Sequence, residues 1–88
     1  MMKLGDVLAD KLGVDEAPRQ RFWMGEVPGF DDFGNPIEKE FVDGKTRFGP
    51  WAFMTPAAFS SNGLGRLGTG FGQRYEKQAN GRWLKVEG

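Results

Sequence analysis

Neither cysteine nor histidine occurs in this chain of 88 residues, so its chemistry depends on carboxylates, hydroxyls and bases. Thiolate or imidazole metal ligands, Cys or His nucleophiles and Ser-His relays are all excluded. An oxygen-only metal site stays open, although the sequence contains no carboxylate loop like that of an EF-hand. The sequence therefore predicts no metal site and no cofactor.

Two groups of side chains are of types that serve catalysis. Asp31 and Asp32, followed by Glu38 and Glu40, have the carboxylates that general acid–base catalysis uses in pairs. Adjacent acids beside a Gly-Asn-Pro turn usually lie in solvent, however. The serines at positions 60 and 61 lack a His or an upstream Lys that would activate them. We therefore predict no catalytic residues and a protein that is not an enzyme.

The segment GLGRLG, from Gly63 to Gly68, matches the dinucleotide-binding pattern G-x-G-x-x-G. That motif functions between a strand and a helix of a parallel βαβ unit, whereas here a proline-broken segment precedes it and more glycines follow it. Because glycine is a poor helix former, we predict a loop over 59–72. Two interpretations stay open, a plain flexible connection or a loop whose N–H groups bind a phosphate with the help of Arg66.

Bases and aromatic residues are interspersed in the C-terminal half of the chain. Cations beside stacking aromatic rings are the composition with which proteins bind single-stranded nucleic acid. The residues predicted to form such a binding face are Arg66, Arg74, Lys77, Arg82, Trp83 and Lys85. For Trp83 the alternative is a structural role, in which its ring caps a second core layer or contacts the N-terminal helix.

The net charge of zero conceals an uneven distribution along the chain. Residues 1–44 carry ten acids and five bases, whereas residues 45–88 carry two acids and seven bases. This split indicates either an interaction surface or two halves that pair with each other by charge. If the acidic half binds a partner, the acids predicted to do so are Asp10, Asp15, Glu16, Asp31 and Asp32.

Apolar spacing predicts a short helix over 3–12 and a strand over 21–27. The apolar residues between Leu4 and Leu12 recur at helical spacing and form one stripe. That stripe packs either on the core of the same domain or on a partner, because so short a helix is marginal alone. Pro28 ends the predicted strand.

The dipeptide Asp43-Gly44 predicts a β-hairpin over 37–54, because Asp-Gly favours the tight type I′ turn. A turn centred there places Glu40 opposite Arg47. Opposite charges across two strands support that register.

The dipeptide Asn80-Gly81 predicts a second tight turn, in a hairpin over 73–87. In that register, oppositely charged pairs fall on one face of the ribbon and apolar residues on the other. The cross-strand pairs are Arg74–Glu87, Glu76–Lys85, Tyr75–Val86 and Lys77–Leu84. The same register leaves Trp83 partly exposed among bases.

These elements predict a small, β-rich α+β fold: two β-hairpins in a ribbon-like arrangement, a short N-terminal helix and no metal. The length of 88 residues fits one domain over 1–88. No apolar run approaches the roughly 18 residues of a membrane span, and the N-terminus lacks the unbroken apolar region of a signal peptide. We therefore expect a cytoplasmic protein without membrane contact.

Four short blocks carry a resemblance to a known group of proteins. They are FGNPI (33–37), FVDGKT (41–46), GPWAFM (49–54) and LGTGFGQRY (67–75). In this order the chain resembles small phage- or prophage-encoded proteins, mostly uncharacterised, that look like zinc ribbons. The pattern of those proteins runs C-x-x-C-G-x-P-I, F-V-D-G-K-T, G-P-W-A-x-M-C-P-x-C-H and G-L-G-T-G-x-G-Q-x-Y. The resemblance covers about half of the chain.

The resemblance implies four metal-ligand positions, and none of them holds a ligand here. They fall on Phe30, Phe33, Thr55 and Ala58, and the adjoining His position is Phe59. A tetrahedral zinc site needs four thiolate or imidazole ligands, so the resemblance implies a form that has lost its metal. It predicts an apolar plug instead, with the two phenylalanines packed near Thr55, Ala58 and Phe59.

The phage setting implied by the resemblance places the protein in the host cytoplasm or in a virion, without supplying an activity. We predict a non-catalytic module that binds nucleic acid or the nucleic-acid machinery of the host through the basic and aromatic C-terminal half. The alternative is an inhibitor or adaptor of a host or phage protein, or a structural component of the virion. That alternative would use the acidic half and exposed aromatic residues, and the oligomeric state stays open.

Overall fold

A computed structural model describes residues 20–88 of the chain. The predicted helix over 3–12 lies outside the described residues. Within residues 20–88 lie four strands, Glu40–Lys45 (β1), Trp51–Met54 (β2), Gly72–Lys77 (β3) and Trp83–Glu87 (β4), and one helix, Pro56–Asn62 (α1). The strands form one antiparallel sheet in the order β2-β1-β3-β4. The predicted small, β-rich α+β fold is confirmed.

Strands β1 and β2 form the first predicted hairpin, but its turn is not at Asp43-Gly44. These two residues lie inside β1, where Asp43 is opposite Phe53 of β2. The turn lies at 46–50, where the Thr46 hydroxyl donates to the Pro50 carbonyl at 2.7 Å. The predicted turn is wrong because β1 is paired with a strand on each side, and this tertiary pairing outweighs the local turn preference.

Gly44 has a different role, which is to let two backbones approach closely. It lies opposite Gly72 where β1 and β3 pair. A Cβ atom on Gly72 would lie 2.6 Å from the Cα of Gly44 and 2.7 Å from the carbonyl oxygen of Asp43, and the φ of Gly72 is +141°. Glycine alone fits this position.

Strands β3 and β4 form the second predicted hairpin, with a longer loop than predicted. Gln78 N–H donates to the Arg82 carbonyl at 2.7 Å, and Gly81 N–H donates to the Gln78 carbonyl at 2.9 Å. Gly81 has a φ of +86°. This is a three-residue loop that ends in a left-handed glycine, instead of a two-residue turn.

The longer loop shifts the register of the second hairpin by one residue. Tyr75 pairs with Lys85, so its predicted pairing with Val86 is wrong, as are the predicted pairs of the two residues that follow Tyr75. Arg74 nevertheless pairs with Glu87, as predicted. Val86 is the extra residue of a β-bulge, which compensates for the shift.

The predicted strand over 21–27 is reduced to a short pairing with the edge of β4. Lys85 N–H donates to the Arg21 carbonyl at 2.7 Å, and Trp23 N–H donates to the Trp83 carbonyl at 2.9 Å. Gly25, with a φ of +89°, then turns the chain away. The residues around Phe22 therefore cover the outer edge of β4 without forming a strand of their own.

One face of the sheet is covered by α1. Val42 and Met54 pack against Ala58 of the helix. The helix occupies the first residues of the predicted loop over 59–72, so that prediction was wrong there. Thr55 explains the helix start, because its hydroxyl accepts from Ala58 N–H at 3.3 Å and a proline follows it. We call this side of the sheet the helix face.

The other face of the sheet carries an aromatic cluster, and we call it the aromatic face. The Trp23 ring lies edge-on to three rings, with centroids 5.3 or 5.4 Å away; these rings are Phe41, Phe53 and Tyr75. Phe41 is fully buried there. No helix among residues 20–88 is long and apolar enough to cross a membrane.

Candidate functional site

The two segments predicted to form an apolar plug do meet, yet the phenylalanines do not lie between them. Phe30 is 63% exposed and Phe33 is 40% exposed. The side chain at the contact is Asp31, which is 5% exposed. Its Oδ2 atom accepts from the Thr55 N–H at 2.8 Å and from the Thr55 hydroxyl at 2.9 Å. The predicted aromatic plug is therefore wrong, because a hydrogen-bonded carboxylate takes its place.

The remaining members of the predicted plug belong to the core beneath α1. Ala58 is buried against Val42 and Met54, and Phe59 packs on the same cluster. Their burial follows from the amphipathic pattern of α1. Ala58 and Phe59 therefore contact the helix face of the sheet, in a core cluster that includes neither Phe30 nor Phe33.

Asp31 is held as an anion by its hydrogen bonds. Its Oδ1 atom accepts from Phe33 N–H at 2.9 Å and from Asn35 N–H at 2.8 Å, and the Asn35 side-chain amide lies 3.2 Å from Oδ2. Burial alone would raise the pKa of Asp31, but the hydrogen bonds from Thr55 and Asn35 outweigh it and lower the pKa from 3.8 to about 2. We call Asp31, Asn35 and Thr55 the Asp31 clasp.

The neighbouring acid is also engaged with the sheet. Asp32 N–H donates to the Phe53 carbonyl at 3.0 Å, and the Asp32 carboxylate accepts from Phe53 N–H at 2.8 Å. These bonds cover part of the outer edge of β2. Of the predicted acidic face, Asp31 is therefore buried and unavailable to a partner, whereas Asp32 is exposed with one carboxylate oxygen bonded to the sheet. The other members, Asp10, Asp15 and Glu16, lie outside the described part of the chain.

Arg74, a predicted binding residue, lies among three glutamates. Its Nη1 atom is 3.1 Å from Glu40 and 2.7 Å from Glu76, and its Nε atom is 3.1 Å from Glu87. The hydrogen bonds to Glu76 and then Glu87 raise the pKa of Arg74. Because its charge is neutralised by this cluster, Arg74 is not available to an external anion.

Three other predicted binding residues come together on the aromatic face. Lys77 is opposite Trp83, and Lys85 is opposite Tyr75. The Trp83 ring contacts the Phe41 ring at a centroid distance of 5.2 Å, and the Lys77 Nζ atom lies 5.8 Å from the Trp83 centroid. Trp83 thus has a structural contact on the core side and a cation beside it.

Arg82 follows the turn next to these residues and stacks on an aromatic ring. Its Cζ atom lies 3.9 Å from the centroid of Phe22. Arg21 is exposed beside Phe22, and its carbonyl accepts from the Lys85 N–H. Nothing in the sequence indicated that Arg21 lies beside these bases, because residues 21–23 are brought to β4 by tertiary pairing. Phe22 is bridged to Leu84, which pairs with Glu76 of the helix face, so Arg82 lies at the edge of β4 toward that side of the sheet. We call Lys77, Trp83 and Lys85, together with Arg82 at the edge beside them, the basic face.

Arg66 lies apart from the basic face, in the glycine-rich loop at the other end of the sheet. Its Cζ atom is 4.1 Å from the centroid of Phe71. The phosphate-binding interpretation of this loop loses three donors, since the N–H groups of Gly68, Phe71 and Gly72 are all bonded within the loop. The predicted binding set is thus divided among three places.

Among residues 20–88, no group of three or more His, Cys, Asp or Glu side chains is placed to hold a metal ion. Comparisons with protein-family models, with curated proteins and with solved structures return no match to this chain.

Proposed function

We propose that this protein is a non-catalytic module that binds single-stranded nucleic acid, or host machinery that carries it, through the basic face. The proposed phage setting is supported by the four sequence blocks alone. The observation that carries the binding proposal is the separation of charge on the C-terminal hairpin.

The acids of this hairpin and two of its lysines lie on opposite sides of the sheet. Glu76 and Glu87, together with Glu40 of β1, bind Arg74 on the helix face. Lys77 and Lys85 lie on the aromatic face. The glutamates are therefore occupied, and they do not neutralise the bases of the basic face.

The basic face also offers rings beside its cations. Lys77 lies near the Trp83 ring and Arg82 lies over the Phe22 ring. A cation beside an aromatic ring provides a phosphate contact and a stacking partner within one short distance, which suits a strand with unpaired bases.

Exposed apolar side chains support a second candidate, a module that binds a protein. Met24 is 83% exposed and Phe30 is 63% exposed. Large exposed apolar side chains on neighbouring segments are typical of interaction surfaces. The partner of this second candidate would contact the segment 24–33, and not the basic face.

A fluorescence anisotropy titration with a labelled oligothymidylate of about 16 nucleotides tests the leading proposal. The variant Lys77→Gln/Arg82→Gln removes two charges from the basic face. We expect it to bind about tenfold more weakly at low salt, and to reduce the log–log salt slope by about 1.4, since each single-strand phosphate contact contributes about 0.7.

The charge-matched control is Ala57→Glu/Ser60→Glu, which also lowers the net charge by two, at exposed positions of α1. We expect the control to bind as the native protein does, because these positions lie on the helix face. Native protein that fails to bind the oligonucleotide at low salt would overturn the proposal, as would equal affinity of the two double variants. Capture of a host protein from nuclease-treated lysate through Met24 and Phe30 would favour the second candidate.

A further inference from the structure

We propose a second contact surface for the same nucleic-acid strand, at the end of the sheet formed by the β1–β2 turn. Its members are Lys45, Arg47, Phe48, Trp51 and Arg66, and we call it the turn patch. This inference rests on the proposed function and extends it, because no member of the turn patch except Arg66 was predicted from the sequence to bind.

The backbone brings the members of the turn patch together from three segments. Lys45 of β1 is opposite Trp51 of β2. Lys45 N–H donates to the Phe71 carbonyl at 2.9 Å, and Arg66 stacks on the Phe71 ring. Lys45 is thus adjacent to an exposed tryptophan on one side and to an arginine–phenylalanine stack on the other.

The turn itself adds a base and an exposed ring. Arg47 N–H donates to the Asn62 carbonyl at 2.9 Å, which fixes the turn against the end of α1. The Arg47 Cζ atom lies 5.2 Å from the centroid of Phe48. Phe48 is 63% exposed and Trp51 is 46% exposed, so both rings are accessible to a stacking base.

The positive charge of the turn patch favours an anionic ligand. Between Asp43 and Glu76 the chain contains four bases and no acid. One of those bases is Arg74, which its glutamates neutralise, so the three bases of the turn patch account for the rest. The nearest acid in sequence, Asp43, is half-buried, and burial raises its pKa.

The combination of three cations and two exposed rings fits a single strand of nucleic acid. Phosphates neutralise the cations, and unpaired bases stack on the rings. A duplex would supply the phosphates but would keep its bases stacked on each other. An acidic protein would leave the two rings without planar partners.

The turn patch and the basic face lie at opposite corners of the sheet. Trp51 is on β2 and Trp83 is on β4, which are the outer strands. Three strand spacings of about 4.8 Å and six residues along β1 at about 3.3 Å each separate the two sets by about 25 Å. A strand of about 4 nucleotides occupies one set, whereas one of about 16 nucleotides reaches both.

The test uses three double variants with the same change in net charge and oligothymidylates of both lengths. Arg47→Gln/Arg66→Gln is the turn-patch variant, and it is compared with Lys77→Gln/Arg82→Gln and with the Ala57→Glu/Ser60→Glu control. With the longer strand we expect the turn-patch variant to bind about tenfold more weakly, with a salt slope smaller by about 1.4. In the native protein we expect a steeper salt slope for the longer strand than for the shorter one.

Substitution of the exposed rings tests stacking apart from charge. We expect Trp51→Ala to weaken binding of the longer strand by about tenfold, the low end of the range per stacked base. Met24→Ala is the matched control, since Met24 is exposed and apolar but lies outside the turn patch. Circular dichroism and urea unfolding of each variant show that the fold is retained.

The outcomes separate the two proposals. If the turn-patch variant binds the oligothymidylate like the control while Lys77→Gln/Arg82→Gln binds it more weakly, the turn-patch proposal is overturned and the proposed function stands. If all three double variants bind equally well, both proposals fail. A salt slope that does not change with strand length also overturns the turn patch.

Discussion

At the scale of single residues, one buried carboxylate joins two distant segments of the chain. Asp31 accepts from Asn35 within its own turn and from Thr55 at the start of α1. The Thr55 hydroxyl donates to Asp31 and also accepts from Ala58 N–H. The clasp therefore fixes the turn around Asp31 and the first turn of the helix at the same time.

Substitution of Asp31 tests the strength of the clasp. The pKa of Asp31 is lowered from 3.8 to about 2, which corresponds to about 2 kcal/mol of stability at neutral pH. We expect Asp31→Asn to lower the free energy of unfolding by about that amount in urea denaturation. Asp32→Asn is the control, because Asp32 is exposed and accepts one hydrogen bond from Phe53 N–H, so we expect a loss below about 1 kcal/mol.

The pH dependence of the free energy of unfolding is an independent test of the stabilisation that the ionised Asp31 carboxylate contributes. Because the folded state lowers the pKa of Asp31, its contribution is complete above the unfolded pKa and is lost as the pH falls toward the folded pKa. We expect the free energy of unfolding to decrease between about pH 5 and pH 2, and the difference between native protein and Asp31→Asn to shrink over that interval. Two parallel curves would contradict the assignment.

The sequence indicated where this contact forms but not which side chain makes it. The resemblance to zinc-ribbon-like proteins, which places ligand positions on Phe30, Phe33, Thr55 and Ala58, predicted that the two segments meet. It drew attention to the aromatic residues, whereas the residue between them carries the contact. The available signal was local: an Asp whose carboxylate accepts from the N–H two residues on forms an Asx-turn. The hydrogen bonds from Thr55 to the same carboxylate join residues that are 24 positions apart, so they depend on the tertiary fold and not on local sequence.

At the scale of elements, the hairpins were predictable and their turns were not. The first hairpin lies within its predicted range, and the second begins one residue before its range. Asp43-Gly44 has the local preference of a turn, but β1 continues through it because β2 and β3 supply hydrogen-bonding partners on both sides. Asn80-Gly81 does lie in a turn, yet a loop longer by one residue moves the register.

Helix α1 was missed for a related reason. Its seven residues, PAAFSSN, are too few for an isolated helix. The segment is helical because Thr55 caps it and Ala58 and Phe59 pack on the sheet. Neither the cap partner Asp31 nor the sheet surface is visible in a window of that length.

Glycine substitutions test the close approach of β1 and β3. We expect Gly72→Ala to lower the free energy of unfolding by about 3 kcal/mol or more, because its methyl group would overlap the Gly44 backbone and its φ is +141°. Gly70→Ala is the matched control, since Gly70 has a φ of +85° but open space at its Cβ position. We expect it to cost about 1 kcal/mol. Equal losses in chemical denaturation would show that the contact between strands is unimportant.

At the scale of the whole molecule, Trp23 connects the segment that precedes the sheet with the aromatic face. Its ring contacts rings from three strands, which are Phe41, Phe53 and Tyr75. Its N–H bonds to β4, so the same residue also covers the sheet edge. Two groups of aromatic residues therefore differ in their surroundings: the rings in contact with Trp23 pack on each other, whereas Phe48 and Trp51 of the turn patch are exposed.

The two groups predict losses of stability of different size for two tryptophan substitutions. We expect Trp23→Ala to lower the free energy of unfolding by about 3 kcal/mol, because three edge-on ring contacts and their buried area are lost. Trp51 is 46% exposed and lies at the edge of the sheet, so we expect Trp51→Ala to cost about 1 kcal/mol or less. Urea denaturation followed by near-ultraviolet circular dichroism measures both changes.

Binding reverses that order. We expect Trp51→Ala to bind the longer oligothymidylate about tenfold more weakly than the native protein does. We expect Trp23→Ala to retain native affinity when it is measured at urea concentrations well below its unfolding midpoint. This follows because the Trp23 ring faces other rings of the protein and leaves the cations of the basic face and the turn patch unchanged. If Trp23→Ala lost affinity as strongly as Trp51→Ala while still folded, the centre of the aromatic face would be the binding surface, and the assignment of binding to its two corners would be wrong.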